Sequence, residues 1–240
     1  MTRILAIDTS SAWCSVALSL SDAAPLVRHQ KVSAGASQLL LPWIEELLQQ
    51  ASSELASLDA IAVGIGPGAF TGVRLGVAVV QGLATAAKLP ILPVASLDAM
   101  ASQLVLKPAF MSTRAQSFVI AVDARMGEVY WAKYQTAPNQ LPQRHGDIHL
   151  TSPQLVQLNN VEFIAGSAIR EFGDRLFSSI QDPFTSSQLD PDIGVDAQGV
   201  LACAHDMWLK GLQQDIHFLE PLYIRNKVAL TSVERSQQHG

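Results

Sequence analysis

The chain has 240 residues, of which 48% are hydrophobic and 15% charged, and its formal net charge is −5. That length allows one large domain or two small ones, and the apolar share excludes a disordered, collagen-like or low-complexity chain. The acidic balance argues against a free-standing nucleic-acid binder, and the low charge fraction leaves apolar surface that a partner could cover.

In chain order, residues 3–7 and 14–20 read as two short strands joined by the turn Asp8-Thr9-Ser10-Ser11, with a third extended piece over 25–32. Residues 37–54 have helical periodicity, and 60–65 is a continuous apolar run suited to a buried strand. A glycine-rich loop, 66–72, then leads into a helix over 73–88. A strand at 91–94 and a helix through 104, capped by Ser96, close the first unit.

The second unit opens with strands at 118–122, ending in Asp123, and 128–134. A loop at 138–142 precedes a short helix over 151–158, with Ser152-Pro153 as its cap and first residue. A strand at 161–165, a loop at Gly166-Ser167 and a helix over 168–178 follow. Residues 181–195 read as irregular, 197–212 as a helix, 220–225 as extended, and the tail after 232 as frayed. The halves echo each other: a single shift sets Ala6-Ile7-Asp8 on Ala121-Val122-Asp123, and Ser15-Val16-Ala17 on Tyr130-Trp131-Ala132. A duplicated α/β lobe with a cleft between the copies would explain this, with lobes at 1–104 and 105–240 and the 197–212 helix able to pack back on the first.

Several motifs have chemical potential. The loop carries Gly66, Gly68, Thr71 and Gly72 where a strand passes into a helix, a place where backbone N–H groups can hold an anion. It lacks the lysine of a phosphate-binding P-loop, and a tight turn that lets strand and helix pack closely is the other reading. Asp8, Thr9 and Ser10 could face a metal-bound phosphate or form an Asx-type turn, and Asp123 has the same ambiguity. His145 and His149 are spaced for a metal only on a helix. In the extended chain that Pro142, Gly146 and Pro153 suggest, their rings would lie about 13 Å apart. Two widely separated cysteines, Cys14 and Cys203, give neither a disulfide framework nor a zinc pattern, and read as reduced thiols of a cytoplasmic protein. No metal, cofactor or membrane span is expected.

The two helices around the loop say most. On the first, Leu39, Leu40, Leu41, Trp43, Ile44, Leu47, Leu48 and Ala51 fill about 200° of arc, roughly twice what one core needs. Pro42 lies too deep for a first-turn proline, so a kink or a late start is expected there. The second has a polar strip of Arg74, Gln81, Thr85 and Lys88. Its other positions are apolar or small, among them Val73, Gly76, Val77, Val80 and Leu83, a pattern of burial nearly all round. Burial inside one monomer and a helical protein–protein interface both remain open.

Four strings carry a resemblance: Ile4-Leu-Ala-Ile-Asp-Thr-Ser10, Gly66-Pro-Gly-Ala-Phe-Thr-Gly-Val-Arg-Leu-Gly76, Asp123-Ala-Arg-Met-Gly-Glu-Val-Tyr130 and Glu220-Pro-Leu-Tyr-Ile-Arg225. In this order, along nearly the whole chain, they resemble the TsaB (YeaZ) family of bacterial tRNA threonylcarbamoyladenosine biosynthesis proteins. The resemblance implies a two-lobed actin-like, ribonuclease-H-like α/β fold, each lobe a mixed sheet with helices. It also implies kinship with the glycoprotease-like catalytic subunit TsaD, whose metal-binding H-x-x-x-H has no counterpart on this chain's first helix, at Ala36 to Pro42. The implied role is a non-catalytic subunit that dimerises with TsaD, works with the ATPase TsaE, pairs with itself when TsaD is absent, and meets tRNA mainly indirectly. Its expected docking residues are Leu39, Leu40, Trp43, Ile44, Leu47, Val73, Gly76, Val77, Val80 and Leu83. Many relatives have His or Glu where this chain has Gly35-Ala36-Ser37, which leaves the apolar faces intact. The alternative is a nucleotide-binding, sugar-kinase-like enzyme using Asp8, Thr9 and the 66–72 loop with Arg74.

Overall fold

A computed structural model describes residues 2–20, 24–32, 35–136, 138, 140–178, 180, 182 and 184–225; the polar tail expected after 232 lies outside them. The first sheet contains β1 (Ile4–Asp8), β2 (Trp13–Ser19), β3 (Leu26–Lys31), β4 (Ala60–Gly64) and β5 (Ile91–Val94), in the order β3-β2-β1-β4-β5. β1 pairs antiparallel with β2 and parallel with β4, so Ala6 faces Ala17 on one side and Ala62 on the other. β1 and β4 are buried at every position, which is why they read as unbroken apolar runs rather than alternating ones.

The second sheet repeats this plan. Its strands β6 (Ser117–Asp123), β7 (Val129–Gln135), β8 (Gln143–Thr151), β9 (Phe163–Ala165) and β10 (Leu189–Asp190) lie in the order β10-β9-β6-β7-β8. The first three pair antiparallel, and β9 joins β6 in parallel, as β4 joins β1. The weak sequence echo thus reflects a repeated topology, the ribonuclease-H-like plan of an actin-like chain. The register differs by one residue: Ala6 pairs with Ala17, but Ala121 pairs with Trp131.

Helices fill the spaces between and outside the sheets. α1 (Ala36–Gln50) and α2 (Phe70–Ala87) cover the outer face of the first sheet, packing on Leu5, Ile7, Ile61 and Val63. α3 (Ser96–Leu104) and α4 (Pro108–Thr113) lie toward the middle. α5 (Ala168–Phe172) and α6 (Asp174–Phe177) cover the outer face of the second sheet. α7 (Ala197–Leu209) packs on α3 and on β1, β2, β4 and β5. One central core therefore joins Ile4 and Ala6 of the first sheet, through Leu97, Met100 and Val200, to Phe118 and Ile120 of the second. A polar tie crosses the same region, where the Tyr134 hydroxyl donates to Asp98 Oδ1 at 2.7 Å.

Several local expectations need correction. α1 starts at Ala36 and continues through Pro42, because packing of Leu40, Ile44 and Leu47 holds the helix on both sides of it. α2 begins three residues early, at Phe70. Ala95, not Ser96, precedes α3; the Ser96 hydroxyl is turned to Ser10 instead. The helix expected over 151–158 is a single 3-10 turn, Pro153–Leu155, because β8 runs to Thr151 and pairs there with Val129. The 168–178 helix breaks at Gly173. The 220–225 segment is bound to the first sheet by Leu222 N, which donates to Ile65 O at 2.8 Å.

The crossing of α3 and α7 depends on Gly199. A Cβ there would overlap the Ala99 carbonyl oxygen and crowd the Gln103 side chain, and Ser102 Oγ donates to Gly199 O at 3.1 Å across the same contact. Gly199→Ala is expected to destabilise the chain by roughly 1–3 kcal/mol. Urea denaturation would show this as a lower midpoint at an unchanged slope.

Candidate functional site

The end of β1 is locked onto the glycine loop. Asp8 Oδ1 accepts from Ser10 N at 2.9 Å, and the Ser10 hydroxyl donates to the same carboxyl while accepting from Ser96 Oγ at 2.9 Å. Ser10 O accepts from Ala69 N at 2.7 Å, and the Thr9 hydroxyl donates to Gly72 O at 2.6 Å. A Cβ at residue 68 would overlap the Ser10 carbonyl, and one at residue 72 the Thr9 carbonyl. Gly64 gives the same room to the Asp8 carboxyl and Gly76 to the Thr9 hydroxyl, so a glycine recurs every fourth position along the contact. The loop's glycines therefore serve close packing of turn, strand and helix. The Ser10 and Thr9 carbonyls occupy the space that side chains at 68 and 72 would need.

Asp8, central to the nucleotide alternative, lies inside this contact. Asp8 is fully buried, and its side chain points at Ser10 rather than into an open cleft. Burial pushes its carboxyl up to about 7, against the smaller lowering effect of the bonds from Ser10. Asp123 forms the equivalent turn in the second lobe, its Oδ1 accepting from Arg125 N at 2.8 Å and its Oδ2 pairing with Arg125 Nη1 at 3.1 Å. His145 and His149 lie on β8, where His149 stacks on Trp131 at 4.5 Å. Among the described residues, no three His, Cys, Asp or Glu side chains are grouped to share a metal ion. Both cysteines are free thiols, and burial pushes Cys14 up to about 11 and Cys203 up to about 12.

The helices flanking the loop divide the expected docking residues into two sets. Leu40, Ile44, Leu47, Val73, Gly76, Val77 and Val80 are buried in the chain's own core. Their side chains pack on the first sheet. Leu39, Trp43 and Leu83 stay partly exposed. The outer face of α2 is also more open than all-round burial predicts. Arg74, Ala78, Gly82 and Ala86 form an exposed ridge at four-residue spacing, flanked by half-buried Leu75 and Val79. On α1, Leu41 is 51% exposed. By length and composition alone α2 could span a membrane, but its inner face packs on the sheet.

The fold places a cavity where the glycine loop meets the second lobe. Beyond the loop, a space of about 370 Å³ lies between Pro67–Phe70, the 124–130 turn and the 221–225 segment. Three of the four motifs thus meet there, and Asp8, Thr9 and Ser10 line none of it. Arg74 stacks on Phe70 at 3.7 Å, and its Nε donates to the Tyr223 hydroxyl at 3.1 Å. Arg225 pairs with Glu128 at 2.6 Å and donates to Ala124 O at 3.1 Å. Arg125, Met126 and Gly127 all have positive φ, and the turn leaves Met126 75% exposed. The shared membership of Phe70, Glu128, Tyr223 and Arg225 in the motifs is the signal that could have flagged them.

Asp8 generates a pH test. Its folded value lies above its unfolded value of 3.8, so the stability it supports is complete below about pH 4 and is lost as pH rises to about 7. The loss is on the order of 4 kcal/mol at most. Asp8→Asn keeps the hydrogen-bonding shape without the charge. It should flatten the stability profile across that window in urea titrations at several pH values.

Comparison with known proteins agrees with this architecture. The family model described as "TsaD: tRNA N6-adenosine threonylcarbamoyltransferase" matches residues 29–193. The chain is 32% identical over 241 residues to the tRNA threonylcarbamoyladenosine biosynthesis protein TsaB of Escherichia coli, covering 95% of this chain and 96% of that protein. It is 41% identical over 136 residues to TsaB of Haemophilus influenzae, covering 54% of this chain and 52% of that protein. The solved structure of YeaZ from Pseudomonas aeruginosa superimposes with a TM-score of 0.79 at 33% identity, over 93% of this chain and 100% of that one. On motifs, fold and full-length similarity together, the chain belongs to the TsaB/YeaZ family.

Proposed function

We propose that this chain acts in tRNA threonylcarbamoyladenosine biosynthesis as a non-catalytic scaffold. It docks a TsaD-type subunit on the outer face of α1 and α2 and, together with a TsaE-type ATPase, supports threonylcarbamoyl transfer to the adenosine beside the anticodon. The observation that carries the reading is the exposed ridge Arg74-Ala78-Gly82-Ala86, with Leu75, Val79 and Leu83 beside it. Val73, Val77 and Val80 are buried in the chain's own core and Leu75, Val79 and Leu83 pack at its edge, so the small residues of the ridge are left open to a partner. Small residues along the ridge let a partner helix approach closely. Leu39, Leu41 and Trp43 of α1 extend the apolar area.

Names of relatives support the pathway: the full-length match in Escherichia coli is called a biosynthesis protein for this tRNA nucleoside, and the matching family model is that of the transferase. Without the transferase subunit, the same ridge would serve for self-pairing. With a net charge of −5, the chain is suited to meet tRNA mainly through its partners, in the cytoplasm and away from membranes.

Reconstitution tests the role. Purified TsaD- and TsaE-type proteins from the same source should modify tRNA only when this chain is added, and the chain alone should do nothing. Modification without the chain would sink the reading. Ala78→Asp places a charge on the exposed ridge, so the variant should stay folded yet co-elute with the TsaD-type protein at least about tenfold less tightly. Leu40→Asp serves as the contrast, because it strands a charge at a site with no exposure and should unfold the chain outright.

A further inference from the structure

The N-terminal end of α2 carries a cation already set in place. The Arg74 guanidinium lies over the Phe70 ring at 3.7 Å and within 5.8 Å of the Tyr223 ring centroid. Its Nε is used by the Tyr223 hydroxyl. Neither Nη has a hydrogen bond, and no carboxylate pairs with Arg74 among the described residues. The two other arginines nearby differ in this respect: Arg125 is held by Asp123, and Arg225 by Glu128. An arginine whose orientation is fixed by two rings and one hydrogen bond loses little freedom on binding, and its open side is a fork matched to a carboxylate.

Beside the fork lies the cavity of about 370 Å³, with largely apolar walls. Phe70, 50% exposed, and Tyr223, 54% exposed, belong both to its lining and to the Arg74 clamp. Phe, Tyr and Arg side chains around a pocket are the residue types that anchor protein interfaces. Arg74 also begins the ridge that continues through Ala78, Gly82 and Ala86. We propose that this end of α2 is the specificity anchor of the docking face: a partner segment places an acidic side chain on the Arg74 fork and a neighbouring bulky apolar side chain in the cavity. The inference rests on the docking reading above and gives the chemistry its partner must present. One unpaired cation beside apolar walls fits an acidic–apolar protein segment better than a nucleic-acid backbone, which needs several phosphate contacts.

The test measures affinity for the purified TsaD-type protein, by titration calorimetry at two salt concentrations. Arg74→Gln should weaken binding about tenfold or more and reduce its salt dependence, as expected for loss of a charge-assisted contact. Arg74→Lys, which keeps the charge without the fork, should restore only part of the loss, and Tyr223→Phe, which frees Nε, should fall between wild type and Arg74→Gln. Wild-type affinity in Arg74→Gln, or full recovery in Arg74→Lys, would overturn the fork. So would a defect confined to tRNA binding or to self-association, which would assign Arg74 to phosphate or to a second copy of the chain. If the wild-type chain itself fails to bind the TsaD-type protein, the docking reading fails instead, and the two failures are thereby separated.

Discussion

Close contact between the Asp8–Ser10 turn and the glycine series at 64, 68, 72 and 76 fixes the rest of the first lobe. Two carbonyls, one hydroxyl and one buried carboxyl of the turn lie where side chains would otherwise stand. The contact sets how near α2 comes to β1 and β4, and so which face of α2 meets the sheet. The opposite face, with Arg74, Ala78, Gly82 and Ala86, is exposed by the same constraint. The loop itself projects Pro67 to Phe70 toward the second lobe, where they wall the cavity.

A glycine-rich loop between a strand and a helix is a common place to hold phosphate. Here the loop's glycines let the protein's own carbonyls pack against strand and helix. Asp8 illustrates the change. A carboxylate at the end of a central strand is well placed for metal–phosphate chemistry, yet this one is buried, accepts from Ser10 and holds its proton more tightly than usual. What the lobe gains is a helix packed closely on the sheet, with Arg74, Ala78, Gly82 and Ala86 exposed on its other side. That side is the one we propose for docking.

Much of the fold was legible from the residues. Continuous apolar runs marked β1 and β4, since both faces of a central strand are covered, and the repeat of Ala-Ile-Asp as Ala-Val-Asp reflected two sheets of one topology. β8 was missed because its first five residues are exposed and polar, with little apolar alternation to read. The helix expected at 151–158 failed because a serine–proline pair suits a 3-10 turn as well as a helix start. Ser96 likewise resembled a cap, but its hydroxyl was claimed by a residue from a distant part of the chain.

By itself the sequence determined the family, the repeated α/β plan and the surplus of apolar surface on two helices. These are properties of local pattern and of motif order. Only the tertiary structure decided which half of that surplus is used internally: Leu40, Val73 and Val80 turn to the sheet, while Leu41 and Ala78 face outward. Periodicity gives the width of an apolar arc but not the direction of the core. Only the fold, too, brought Arg74 to Tyr223 and Glu128 to Arg225, because those pairs lie 149 and nearly a hundred residues apart and no local rule connects them.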